Sequence, residues 1–105
     1  MNRGEVWWAD LPPPWGHRPV LLIARNAVYQ VRTTVTIAPL TSTIRPIASQ
    51  VVLTEEDGVP HQCVVNLDDI TTVQKRFLQR RITVLSDEKI KAVEAAIHFA
   101  LGLET

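Results

Sequence analysis

A chain of 105 residues, 46% apolar and 21% charged, has room for one modest core and one domain. Eleven basic residues balance eleven acidic ones, and this zero net charge argues against a generic polyanion binder. No apolar run nears the roughly 18 residues of a membrane span, Met1-Asn2-Arg3-Gly4-Glu5 lacks the apolar core of a secretory signal, and the single Cys63 excludes an internal disulfide framework and fits a reducing cytoplasm.

Glu5-Val6-Trp7-Trp8-Ala9-Asp10 is aromatic and β-branched and predicts the first strand. Successive strand residues point to opposite faces, so one of Trp7 and Trp8 is expected on a second surface such as a subunit interface. The stiff Pro12-Pro13-Pro14-Trp15-Gly16 connection follows, with Gly16 as its turn. Trp15 there either packs on the prolines or offers a face to a base.

His17-Arg18-Pro19-Val20-Leu21-Leu22-Ile23-Ala24-Arg25 is the organising stretch. Val20 to Ile23 is too short for a globular helix and reads, within 18–25, as a strand buried on both faces. Proline cannot donate to a ladder, so Pro19 is expected at the first strand position and Arg18 at the strand's mouth. A guanidinium there either snorkels at the sheet edge or faces an anion.

Asn26 to Gln30 predicts a turn or single helical turn, and the β-branched run 33–41 a third strand with Pro39 at an edge or bulge. Thr41-Ser42-Thr43 then groups three hydroxyls, with Arg45 close behind; such triplets serve as turn and capping groups or as a polar site. Strands follow at 48–54, 62–68 and 81–85, with a turn-rich acidic loop at 55–60. Residues 71–73 extend the ladder, and 74–79 hold a short helical turn. Cys63, in the apolar run Cys63-Val64-Val65, reads as a small buried hydrophobe. Ser86 is a good N-cap, Asp87 and Glu88 suit the positive helix end, and Ile90, Val93, Ile97 and Leu101 recur at helical spacing up to Gly102. His98, beside that stripe, receives no role. Five or six short strands with one terminal helix predict a mainly β chain, a curled sheet or barrel capped by a helix.

Charge is unevenly spread. Residues 1–54 carry five arginines against Glu5 and Asp10, a balance of +3, whereas 55–105 stand at −3. Lys75, Arg76, Arg80 and Arg81 form a basic cluster inside the acidic half, so any nucleic-acid site would be local.

The chain has no Gly-rich phosphate loop, no Gly-x-Ser-x-Gly elbow, and no Cys or His pair at metal-ligand spacing. Asp68 and Asp69 could hold a magnesium ion, but neighbours on a strand point to opposite faces, which makes a shared site harder. What remains at strand ends is Arg18, Thr41, His17 and Asp68. Such a set permits phosphoryl chemistry on RNA without a metal or other cofactor. RNA carries its own nucleophile, the 2′-OH, and the protein need only position it, move protons and neutralise charge.

Arg3-Gly4-Glu5-Val6-Trp7-Trp8-Ala9-Asp10-Leu11 with Gly16-x-Arg18-Pro19-Val20-Leu21 resembles the opening of the MazF/PemK toxins. Thr36-Ile37-Ala38-Pro39-Leu40-Thr41-Ser42 resembles their third-strand motif, and Val64-Val65-Asn66-Leu67-Asp68-Asp69-Ile70-Thr71-Thr72-Val73 a later segment. Together with the terminal helix, the likeness spans essentially the whole chain. It implies an SH3-like β-barrel with a C-terminal helix, forming a homodimer whose groove receives single-stranded RNA. The implied activity is that of a sequence-specific, metal-independent endoribonuclease, leaving 2′,3′-cyclic phosphate and 5′-hydroxyl ends. The implied partner is a cognate MazE-type antitoxin with an acidic, disordered tail, and operator DNA is bound only through the toxin–antitoxin complex.

By position, Arg18 matches the family's catalytic arginine, which stabilises the phosphorane, and Thr41 its catalytic threonine or serine. Asp68 matches an acidic position used as a base by some members, and Asn66 stands where those members have arginine. Many relatives carry extra loop residues between the positions of Gly16 and Arg18. Here only His17 remains, which makes it a candidate acid or base. RNA contacts are expected at Trp15, Ser42, Thr43, Arg45, Asn66, Lys75 and Arg76. Two other readings share the fold: a gyrase-binding toxin of the CcdB kind, which lacks the Arg-Pro and hydroxyl pair, and an inactive binder of RNA or antitoxin.

Overall fold

The computed structural model describes residues 1–103. Among them are seven strands and two α-helices: β1 (Glu5–Leu11), β2 (Gly16–Leu22), α1 (Val28–Val31), β3 (Thr34–Thr41), β4 (Gln50–Leu53), β5 (Cys63–Asn66), β6 (Thr71–Gln74), β7 (Leu78–Val84) and α2 (Asp87–Ala100). The strands form one antiparallel path β4-β5-β3-β2-β1-β7, with β6 paired to β3 beside it. The chain is thus mainly antiparallel β with a C-terminal helix, as expected. No helix among the described residues is long and apolar enough to cross a membrane.

The sheet curls around two apolar cores, and β2 separates them. Leu21 packs into the first with Val6, Leu40, Leu53, Val65 and Leu67, where Val93 and Ala96 of α2 close it. Val20 and Leu22 enter the second, with Ala9, Tyr29, Val35, Ile37 and Leu78. All three β2 side chains are fully buried, the two-sided burial that their unbroken apolar run predicts.

Several boundaries differ from expectation. Pro19 is not the first residue of its strand: β2 begins at Gly16, and Pro19 pairs with Trp8. The β2–β3 ladder ends at Val20↔Pro39, so Pro19 stands one residue beyond it, and a missing donor there costs no β3 pairing. Pro39 sits at a partner exchange: β3 pairs with β6 as far as Ile37 and with β5 from Leu40. The ladder gap falls at Ala38 and Pro39, where a residue without an N–H is tolerated. Residues 71–74 form a separate strand rather than an extension of β5, because a 3-10 turn, Leu67–Asp69, intervenes. Asn66 starts that turn by accepting the Asp68 N–H at 3.1 Å, which ends β5 short of the expected 62–68. The expected strand at 48–54 is trimmed to Gln50–Leu53, and the one at 81–85 runs instead from Leu78 to Val84 after a 3-10 turn at Lys75–Phe77.

Helix α2 follows its sequence signals. Ser86 Oγ accepts the Lys89 N–H. At the other end Gly102 adopts φ +68°, with Gly102 N–H to Phe99 O and Leu103 N–H to His98 O, the paired bonds of a Schellman cap.

Glu5, 5% exposed on β1, joins the sheet's charges to its stability. Burial pushes its carboxyl up, but the Trp7 indole donating at 2.8 Å, together with Asn2, outweighs burial and holds the pKa below its ordinary 4.5. Arg81 lies 3.6 Å away. A depressed folded pKa adds stability that is complete above the unfolded value and lost as pH falls through the folded one. Glu5→Gln is therefore expected to lower the melting temperature at pH 7, and the difference from the parent should shrink as pH falls below the ordinary carboxylate range. A difference that stays constant through the acid titration would refute the assignment.

Candidate active site

The β2–β3 register assembles the first pair. Leu22↔Ile37, Leu21↔Ala38 and Val20↔Pro39 are partners, so extending the register two residues sets Arg18 opposite Thr41. Alternation puts Arg18 on the face of Val20 and Leu22, and Thr41 on that of Ile37, so both leave the sheet on the second-core side. Arg18 Nε–H donates to Trp15 O at 2.7 Å, and its guanidinium lies 5.8 Å from the Trp15 ring centroid. Trp15 in turn packs against the second core. The proline loop thus aims the arginine by one bond and one ring, while the terminal Nη groups carry no hydrogen bond among the described residues. Thr41 Oγ accepts the Thr43 N–H at 3.2 Å, which leaves its own hydroxyl proton free to donate.

His17 leaves β2 on the other face. Its ring lies on Trp8, centroids 4.8 Å apart and planes within 8°. Arg80, the β7 partner of Trp8, sits 5.9 Å from the Trp8 ring centroid. A cavity of about 270 Å³ opens here. Trp8, His17, Pro19, Leu40, Pro60, His61 and Cys63 line it, and Arg18, Thr41 and Ser42 contribute to the same lining. His17 and Arg18 leave β2 on opposite faces, yet the same cavity brings His17 together with Arg18 and Thr41.

The remaining expected residues are spread out. Asp68 lies in the Leu67–Asp69 turn, outside the cavity lining, and its Oδ2 accepts the Ser49 Oγ–H at 2.6 Å. Asn66 Nδ2–H donates to Asp69 at 2.9 Å, so the residue in the arginine position is engaged in its own turn. Thr43 and Arg45 lie on the exposed segment after β3, tied to Gln50 through the Arg45 N–H and the Thr43 carbonyl. Lys75 and Arg76 line a different groove with Met1, Thr33 and Thr34. Lys75 Nζ donates to Tyr29 O, and Arg76 stacks at 4.7 Å on Phe77. The basic cluster of the sequence therefore divides: Arg80 stands over Trp8, Arg81 faces Glu5, and the other two lie elsewhere.

Sequence reasoning places Arg80 only in the basic cluster and misses Trp8 and His61 as site residues. The Trp7-Trp8 pair did signal two faces, and the second proves to be the cavity wall. Nothing local to Pro60-His61 marks it, since the loop joining β4 to β5 delivers it. Cys63 is buried as expected; burial, and then Asp57, push its thiol pKa up, as suits packing rather than nucleophilic work.

Fold and site together define a small curled-sheet protein presenting an arginine and a hydroxyl side by side, a pairing suited to a phosphodiester. Residues 2–101 match the family of PemK-like, MazF-like toxins of type II toxin–antitoxin systems, and the chain belongs to that family. It is 37% identical over 100 residues to the probable endoribonuclease MazF5 of Mycobacterium tuberculosis, covering 94% of this chain and 91% of that one. The solved M. tuberculosis toxin MazF-mt6 superposes with a TM-score of 0.88 at 32% identity, over 96% and 99% of the two chains. A mycobacterial endoribonuclease in complex with its cognate antitoxin gives 0.88 at 28% identity, over 100% and 98%.

Proposed function

We infer that this chain is the toxin of a type II toxin–antitoxin pair and acts as an endoribonuclease on single-stranded RNA. The observation that carries the reading is the register that sets Arg18 opposite Thr41 on one face. In the reaction we propose, the 2′-oxygen of the RNA attacks the adjacent phosphorus and gives up its proton. The bond to the 5′-oxygen breaks, and that oxygen gains a proton. The products are a 2′,3′-cyclic phosphate and a 5′-hydroxyl. Arg18 offsets the charge that gathers on the non-bridging oxygens, and Thr41 donates its hydroxyl proton to one of them. Because the nucleophile belongs to the substrate, no metal is required. Asp68 enters only as the family's acidic position, already bonded to Ser49. Thr43 and Arg45 on the segment after β3 are RNA contacts in this reading, as is Ser42.

The chain acts in the cytoplasm as a homodimer and is restrained by a MazE-type antitoxin. It reaches operator DNA only through that complex. Purified protein incubated with mixed-sequence RNA in EDTA is expected to cut at a short recurring sequence and leave cyclic-phosphate ends. Thr41→Ala is expected to slow the cut about 10²-fold, the scale of losing one transition-state donor. RNA left intact by folded protein would overturn the reading.

A further inference from the structure

We propose that the cavity beside His17 is a slot for one nucleobase of the bound RNA, with His17 as its stacking wall; this rests on the nuclease reading above. Three strands build that wall. Arg80 on β7 pairs with Trp8 on β1, and His17 on β2 lies two residues from Pro19, the direct partner of Trp8, which makes it a diagonal neighbour. The imidazole stacks on the Trp8 indole, and the Arg80 guanidinium lies 5.9 Å from the same ring's centroid, so His17 presents the outer face of this stack.

One face of His17 lies flat on Trp8, yet the residue is exposed, so its other face is free, and its ring nitrogens make no hydrogen bond among the described residues. The cavity behind it is floored by Pro19, Leu40 and Cys63, two of which are buried. Its volume of about 270 Å³ has room for a base and little more. A flat aromatic wall over an apolar floor accepts a π-face, and Arg18, Thr41 and Ser42 in the same lining hold the phosphate beside it. The position suits a neighbour of the cleaved bond. His17 and Arg18 are adjacent in β2 on opposite faces, so a strand that sets its phosphate against Arg18 can turn the next base around the end of β2. Trp8 and Arg80 act here as positioning residues.

The test uses the cleaved sequence, blocked by a 2′-O-methyl group at the cut, so that affinity is read without chemistry. Losing one aromatic platform weakens single-strand binding by roughly 5- to 100-fold on His17→Ala. His17→Phe is expected to bind within about threefold of the parent, because the face and not the nitrogen is used. An abasic residue is then scanned along the oligonucleotide. At one position beside the cut it should weaken the parent but add no further loss in His17→Ala, the mark of a shared contact. Parent-like binding by His17→Ala would overturn the slot, as would His17→Phe as weak as His17→Ala with His17→Asn restored. These outcomes leave the nuclease reading standing if the parent cuts unblocked RNA. A parent that binds but never cuts would remove the nuclease reading alone, and a parent that binds no RNA would remove both.

Discussion

Arg18→Lys is expected to cleave RNA as poorly as Arg18→Ala, about 10²–10³-fold below the parent at saturating enzyme. Conservation of charge does not rescue it, because Arg18 does two things at once. Its Nε holds the Trp15 carbonyl at 2.7 Å, and its guanidinium carbon lies over the Trp15 ring, 5.8 Å from the centroid. The terminal amino groups are then aimed with little remaining freedom. A lysine has one nitrogen, which either takes the Trp15 carbonyl or reaches the phosphate, and its compact ammonium cannot reproduce the planar fork. The measurement is a single-turnover rate at enzyme concentrations above saturation, which separates the chemical step from RNA binding. A lysine variant within tenfold of the parent would show that charge suffices and that the Trp15 anchor is incidental. The anchor is also tested by replacing Trp15: Trp15→Ala keeps the guanidinium but loses the ring, and the rate is expected to fall by a smaller factor than in Arg18→Ala.

Gly58→Ala is expected to destabilise the fold by roughly 2–4 kcal/mol, the sum of a strained backbone and an overfilled contact. Gly58 has φ +95°, in the left-handed region that disfavours a side chain. A Cβ there would lie 2.3 Å from Thr83 Oγ1 and 2.7 Å from Thr83 Cβ. Rotation would relieve the hydroxyl contact alone, but the Thr83 Cβ is fixed to β7, and the backbone must move. That hydroxyl also donates to the Asp57 carbonyl at 3.0 Å, so the displaced atoms include the clasp between this turn and β7. On the usual scaling for a domain of this size, the melting temperature should fall by roughly 10–25 °C. A fall below about 3 °C would mean that the loop relaxes freely. The turn leads into Pro60 and His61, so the variant should also weaken RNA binding at temperatures where it remains folded.

The two-sided burial of Val20 to Leu22 was readable in the chain because an aliphatic run with no polar residue has no face to spare for water. Helix α2 was readable for the same local reasons: a cap at Ser86, acids in the first turn, apolar residues at helical spacing and Gly102 past the end. The sequence reads as five or six strands where the described residues hold seven, because β6 is four residues long and separated from β5 by a turn that Asn66 starts with a side-chain bond. No periodicity announces such a break. Arg18, Thr41 and Asp68 stood out as polar groups at strand ends, but sequence spacing could not say which of them share a face.

Element types, the buried centre of the sheet, the terminal helix and the family resemblance were determined by the chain itself, since each rests on local propensity, capping chemistry or an unbroken motif. The tertiary structure alone decided the site's membership. Pairing of β2 with β3 brought Arg18 to Thr41, and the pleat of β2 laid His17 on Trp8 in the cavity all of them line. The β1–β7 register put Arg80 on that tryptophan, while Lys75 and Arg76, a few residues earlier, went to another groove. Register joins residues far apart in the chain, and a shift of one residue would reverse every face.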